Sequence, residues 1–298
     1  MALMRLPLAV LLASLFLGVA PLRADYAQEV AQWRRERVER LTAPDSWLAL
    51  IGLHWLQVGD NSVGSAEDNT VRLAAGAPYL GTVRLTADGH ATFLAAPASR
   101  TEVDGVAAGT HPVELRYGAA KPSLVSADSV SFFVIKRGEK IGLRVRNSES
   151  ARRTGFLGID YFETDPSWRI EAQWIAFEQP RMIPITNVLG QTSAMPVPGK
   201  AVFTRDGRTF ELLPVLEGAG EPLFFIIADA TSGTETYEAS RFLYADAPKD
   251  GKIILDFNRA QNPPCAFTPF ATCPLPPKEN RLPIRVTAGE KVYRGEHH

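Results

Sequence analysis

The side chains able to do chemistry are most concentrated in one stretch near the C-terminus. It runs Asp256-Phe-Asn-Arg-Ala-Gln-Asn-Pro-Pro-Cys265-Ala-Phe-Thr-Pro-Phe-Ala-Thr-Cys273-Pro-Leu-Pro-Pro-Lys-Glu279-Asn-Arg281. Proline fixes φ and lacks a backbone donor, so this segment excludes a helix or a central strand and predicts a stiff, shaped loop. Two carboxylates of the loop region, Asp256 and Glu279, together with Glu235, would support general acid–base hydrolysis or hold a divalent cation if the fold made them converge. His54, set between Leu53 and Trp55 in an apolar run, is either a core histidine or a base at the edge of a pocket. The candidate catalytic set is therefore Glu235, Asp256, Glu279 and His54. The candidate ligand-binding set is Trp55, Tyr237, Arg241, Asn258, Asn262 and Arg281. Each of these has a plainer role available. Asn258 and Asn262 would brace a proline-rich backbone, and Glu235 would pair with Arg241 or Arg281. Asp229, at the end of an apolar strand, would cap a turn. Arg144, Arg152 and Arg169 are scattered, which favours solvated or salt-bridged roles over anion binding.

Cys265 and Cys273 are the two cysteines of the chain. In an exported protein the default is a disulfide. A loop this short gains only about 2.5 kcal/mol from closure in the chain-entropy model, so the bond would shape the loop more than hold the fold. A reactive thiol would need a neighbouring base or cation. A zinc site needs four ligands, and two thiols at this spacing do not supply them. No metal is assigned, and the sequence names no cofactor. There is no nucleophile elbow, glycine-rich phosphate loop, zinc-protease helix or dinucleotide fingerprint, which argues against the familiar hydrolase, kinase and dehydrogenase classes.

The proline–cysteine loop, with Thr231-Ser-Gly-Thr-Glu-Thr-Tyr237-Glu-Ala-Ser-Arg241 and Trp47-Leu-Ala-Leu-Ile-Gly-Leu-His54-Trp55, resembles the bacterial domain of unknown function 1684 family. The resemblance extends from about Trp33 to about Lys291. It implies no reaction and supplies no catalytic residues. A second resemblance is narrower. Val63-Gly-Ser65-Ala-Glu-Asp-Asn-Thr-Val-Arg-Leu73 and Val103-Asp-Gly105 are similar in outline to a forkhead-associated domain. Ser65 stands where that family has its phosphate-binding arginine, so what the resemblance implies is a sandwich fold and not phosphothreonine binding.

The elements that must position these residues are mostly strands. Arg5 followed by the apolar run Leu6–Ala20 and by Leu22-Arg23-Ala24 reads as an export signal spanning 1–24, with the mature chain starting at Asp25 and residing in the periplasm or outside the cell. No later apolar run approaches membrane length. From Tyr26 to about Leu41, Val30, Trp33, Val38 and Leu41 recur at helical spacing. Beyond Asn61, short apolar runs alternate with Gly59-Asp60, Asp88-Gly89, Asp104-Gly105 and Arg137-Gly138 turns, the pattern of a β-sandwich or barrel. The expected organisation is a helix plus a forkhead-associated-like sandwich over 25–150, then a second β-rich section over 151–298 that carries the proline–cysteine loop. The expected fold class is mainly β. A net charge of −1 and a pI near 6.5 give no reason to expect nucleic acid as a partner. These features lead to a polar ligand-binding or enzymatic pocket in the C-terminal half, taking an unidentified small molecule. The rival reading is a non-catalytic envelope module for protein or glycan, in which the polar set is an internal network.

Overall fold

The computed structural model describes residues 19–118 and 121–295. Most of the expected export segment, and His297 and His298, lie outside the described residues. No helix among them is long and apolar enough to cross a membrane. The protein is mainly β, with one long helix at the N-terminal end followed by four sheets.

The helix spans Val19–Thr42. Its buried line is Val30, Arg37 and Leu41, spaced seven and four residues apart as a single helical face requires. Arg37 on that face is the departure from the expected pattern. Its charge is neutralised by Glu290, a partner far away in sequence (2.9 Å). The last turn is held by Arg153, whose Nε donates to the Thr42 carbonyl (2.8 Å), the usual need of a helix C-terminus.

Two sheets follow, antiparallel except that Val71–Arg72 pairs in parallel with Gly59–Gly64. A six-stranded sheet is ordered Leu50–Trp55, Lys140–Asn147, Val130–Arg137, Val125–Ala127, Glu102–Val103 and Val106–Ala107. A five-stranded sheet is ordered Val71–Arg72, Gly59–Gly64, Gly81–Leu85, Ala91–Ala95 and Val113–Glu114. Period-two alternation puts Val63, Val83, Phe93, Phe132, Val134, Leu143 and Val145 into one shared core. The three shortest strands of the first sheet were not expected, because two- or three-residue strands carry no periodicity. The stretch Ser148–Gly155, which spans the expected division between residues 150 and 151, forms a helical turn over Ala151–Thr154. Ser150 caps it and also donates to the Leu48 carbonyl (2.6 Å).

The remaining sheets share a second core around Trp168, Ala172, Phe203, Phe225, Leu243 and Leu255. A four-stranded sheet runs Arg208–Leu212, Thr192–Arg205, Arg169–Thr186 and Lys252–Asp256, and a three-stranded sheet runs Arg241–Ala245, Leu223–Asp229 and Arg281–Leu282. The central hairpin is much longer than its sequence suggests. Trp168, Ile170, Ala172 and Trp174 alternate inward as expected, but the strand continues to Thr186 through Pro180 and Pro184. Its neighbour Lys252–Asp256 pairs only with Arg169–Gln173. The outer part is therefore a two-stranded ribbon, where a proline costs no bond to a third strand. By composition Leu282-Pro-Ile-Arg-Val reads as a strand. Only Arg281–Leu282 pairs, in parallel with Ala228 and Asp229.

Candidate functional site

The outer face of the first sheet and a third apolar cluster, which includes Phe224, Phe242 and Cys273, meet at a cavity of about 250 Å³. One wall is the outer face of the first sheet. Leu143 and Val145 enter the sandwich core, so the alternation of the strand turns Arg144 to the opposite face. Arg137, at the end of the neighbouring strand, lines the same wall and donates from Nε to Thr272 Oγ1 (3.1 Å). The opposite wall is aromatic. Phe224 packs edge-on to Phe242 (centroids 4.7 Å) and stacks on Tyr244 (4.9 Å). The proline–cysteine loop closes the cavity with Pro264, Thr272, Cys273 and Pro274, while Trp47 and Arg37 border it from the N-terminal elements.

Arg144 is the distinctive group. It is 4% exposed, yet Nε and Nη2 have no hydrogen-bond partner, and no ion pair to it exists among the described residues. The Trp47 ring lies 5.0 Å from the guanidinium carbon, and the Cys265 and Cys273 thiols are near enough to act on its charge. Burial pulls its pKa down to about 10, and Arg137 and Arg146 add to the effect. Burying a guanidinium without a counter-charge is costly, so the site is electrostatically incomplete. Asn262 is the second unsatisfied wall residue. It is 1% exposed and its Nδ2 donates to the Lys291 carbonyl (2.7 Å), but its buried Oδ1 accepts nothing.

Asn262 is fixed at the start of the loop by the helix. Arg37 Nη2 donates to the Asn262 carbonyl (2.9 Å), and the Asn262 amide donates to Glu290 Oε2 (2.7 Å). Glu290 is aimed inward by Gly289, whose φ of +81° no L side chain readily adopts and whose Cβ would collide with the Ala260 carbonyl. The far end of the loop is tied to the long hairpin through Leu275 N to the Thr186 carbonyl (2.8 Å) and Val188 N to the Cys273 carbonyl (3.0 Å). Across the loop the cysteines face each other. The Cys265 amide donates to Cys273 Sγ (3.1 Å) and the Cys273 amide to Cys265 Sγ (3.3 Å). Both are free cysteines in this structure. A hydrogen bond from Cys273 pulls the Cys265 thiol down, with Arg144 assisting, whereas burial pushes the Cys273 thiol far up. At the cavity rim Glu217 bonds to Tyr244, and burial raises its pKa.

Most of the residues singled out from sequence lie elsewhere, at several separate places. Asp256 accepts from Tyr26 Oη (2.6 Å), while Asn258 bonds to Tyr26 Oη, to the Asp165 carbonyl and from the Asp165 amide. Together they dock the helix. Arg241 is 1% exposed and binds Asp229 Oδ2 (2.6 Å), the Val286 carbonyl and the Ala288 carbonyl. Asp229 also caps its turn through the Thr231 amide (2.8 Å), as expected. Glu235 pairs with Arg285 (2.6 Å) rather than with Arg241 or Arg281, and Arg241 is held by Asp229. Glu279 is exposed beside Lys278, and Arg281 is exposed on the short parallel strand. Tyr237 packs in the cluster around Phe267 and Tyr293, where burial pushes its phenol up to about 12. His54 borders a surface depression with Arg72 and Phe270, and burial lowers its pKa; Trp55 lies under Lys140. Among the described residues, no three His, Cys, Asp or Glu side chains group as a metal site would require. Asn262 and Cys273 are the expected site residues that reach the Arg144 cavity. Arg144 itself is neither solvated nor salt-bridged, contrary to expectation. The signal that would have found it is its place in the alternation, between two core-facing residues of an apolar strand.

No curated protein matches the chain. Among solved structures it is similar to the solution NMR structure of the uncharacterized protein from gene locus rrnAC0354 of Haloarcula marismortui. The match is 32% identical, covers 48% of this chain and 81% of that one, and has a TM-score of 0.41. The family match is confined to the C-terminal section rather than starting near Trp33: residues 154–291 belong to the family described as Protein of unknown function (DUF1684).

Proposed function

We propose that the protein binds a small anionic molecule in the cavity between the first sheet and the Phe224–Phe242 cluster, with Arg144 as the anchor. The observation that carries this reading is a guanidinium that lines a cavity, is 4% exposed and has no ion pair among the described residues. A bound anion would supply the missing counter-charge, and a guanidinium presents a planar fork suited to an oxyanion. Arg137 adds a second positive charge, and Thr272, Asn262 and the aromatic wall supply the few polar groups and apolar surface typical of small-molecule sites. Binding of the anion and no reaction on it is assigned, since Asp256 and Glu235 are engaged in contacts between elements and Glu279 is exposed away from the cavity. The apolar run Leu6–Ala20 supports export, which places this activity in the cell envelope or outside the cell.

The test is calorimetric titration of the full chain with small carboxylates and inorganic phosphate. Saturable one-to-one binding that disappears in Arg144→Met is expected. Binding of equal strength in that variant would overturn the assignment.

A further inference from the structure

Cys265 and Cys273 face each other across the proline–cysteine loop as free thiols. Each sulfur accepts the other residue's backbone amide, Cys273 Sγ at 3.1 Å and Cys265 Sγ at 3.3 Å. Amide donors aimed at sulfur favour its anionic form. The sequence puts neither a base nor a cation beside either thiol, but the fold supplies one. Arg144 lies near enough for its charge to act on both sulfurs. Two thiols do not make a metal site, and among the described residues no three His, Cys, Asp or Glu side chains group together. The chemistry open to such a pair is redox chemistry.

The two cysteines are not equivalent. Cys265 keeps partial exposure, whereas Cys273 is 5% exposed. A hydrogen bond from Cys273 and the charge of Arg144 pull the Cys265 thiol down, and burial pushes the Cys273 thiol up. Cys265 is therefore the nucleophile, with Cys273 held protonated beside it as the resolving thiol. The loop is fastened at both ends, so the pair meets without a conformational search. We propose that Cys265 and Cys273 reduce small hydroperoxides. The Cys265 thiolate attacks the terminal peroxide oxygen, the O–O bond breaks, and the departing alkoxide or hydroxide takes a proton from solvent. Cys265 is then a sulfenic acid. The Cys273 thiol attacks that sulfur, the S–S bond forms and the S–O bond breaks, and hydroxide leaves with the Cys273 proton as water. The thiol pair is oxidised to a disulfide as the peroxide is reduced, and an external dithiol restores the thiols by exchange. This activity does not rest on the anion-binding reading.

The experiment mixes the reduced full chain with hydrogen peroxide and follows thiol loss and intact mass, with free cysteine at the same pH as the reference. The unmodified protein is expected to lose both thiols to an internal disulfide at least about tenfold faster than free cysteine is oxidised. It should do so again after reduction with dithiothreitol. Cys273→Ser should stop at a Cys265 sulfenic acid that dimedone captures. Arg144→Met should react more slowly, with its rate–pH profile moved to higher pH; an unmoved profile would overturn the part given to Arg144. The rate of the unmodified protein decides the matter even where a variant does not fold. A rate no greater than that of free cysteine identifies a structural pair only and overturns the activity, as does a disulfide formed only between chains. Cys265→Ser reacting with peroxide as fast as the unmodified protein would overturn the assignment of Cys265 as the nucleophile.

Discussion

Arg144 and Arg241 are both arginines buried in β-strands, but their surroundings predict opposite responses to the same substitution. Arg241 is paired with Asp229 and with two carbonyls. Arg241→Met leaves the Asp229 carboxylate buried and unpaired, and should cost about 3–5 kcal/mol in urea unfolding. Arg144 has no ion pair among the described residues, and two of its nitrogens lack a hydrogen-bond partner. Arg144→Met removes an uncompensated charge and should raise the stability of the ligand-free protein by about 1–3 kcal/mol. His54 makes a third residue-level prediction. Burial lowers its folded pKa below the ordinary value, so the unfolded chain binds the proton more readily. Its contribution is intact above about pH 6.5 and is lost as pH falls from there through the lowered folded value. Urea midpoints should therefore drop as pH falls below 6.5, and His54→Gln should flatten that slope. An unchanged slope in the variant would show that the dependence arises elsewhere.

At the scale of elements, the proline–cysteine loop is a clamp fastened at both ends. The Arg37–Glu290 pair and Asn262 fix its start, and the hairpin tip fixes its end. Glu290→Ala should leave Arg37 buried without its partner, loosen the helix and cost about 3–5 kcal/mol. The facing geometry of Cys265 and Cys273 supports the disulfide expected from sequence as a proposal for oxidising conditions. Treatment with a small-molecule disulfide should bring the count of alkylatable thiols to zero and add about 2.5 kcal/mol of stability. Two thiols that stay reactive after such treatment would rule it out. The sequence was most informative at this scale. Alternation and turn dipeptides marked the longer strands, because half-buried sheets impress a period of two on their residues. The two-residue strands and the proline-bearing ribbon were illegible, since their pairing depends on which neighbour the sheet provides and not on local pattern.

At the scale of the whole molecule, the cavity exists because the outer face of the first sheet meets the Phe224, Phe242 and Cys273 cluster. That explains why the site was hard to read from sequence. Asn262 and Cys273 were legible because they sit in a conspicuous loop. Arg144, Arg137, Phe224 and Tyr244 come from separate strands, and convergence between distant segments leaves no mark in spacing. The polar residues that were conspicuous, such as Asp256, Asn258 and Arg241, proved to be joints between elements. A ligand held between the two parts should stabilise both together, so binding should raise the single cooperative unfolding temperature. The most direct test is the thermal unfolding of the native protein and of Arg144→Met, each with and without a saturating small carboxylate. The account predicts that the variant melts higher than the native protein without ligand, and that only the native protein shifts upward when ligand is added, by an amount equivalent to about 2.7 kcal/mol at a hundredfold excess over Kd. A variant that melts lower and responds to the carboxylate as the native protein does would contradict it.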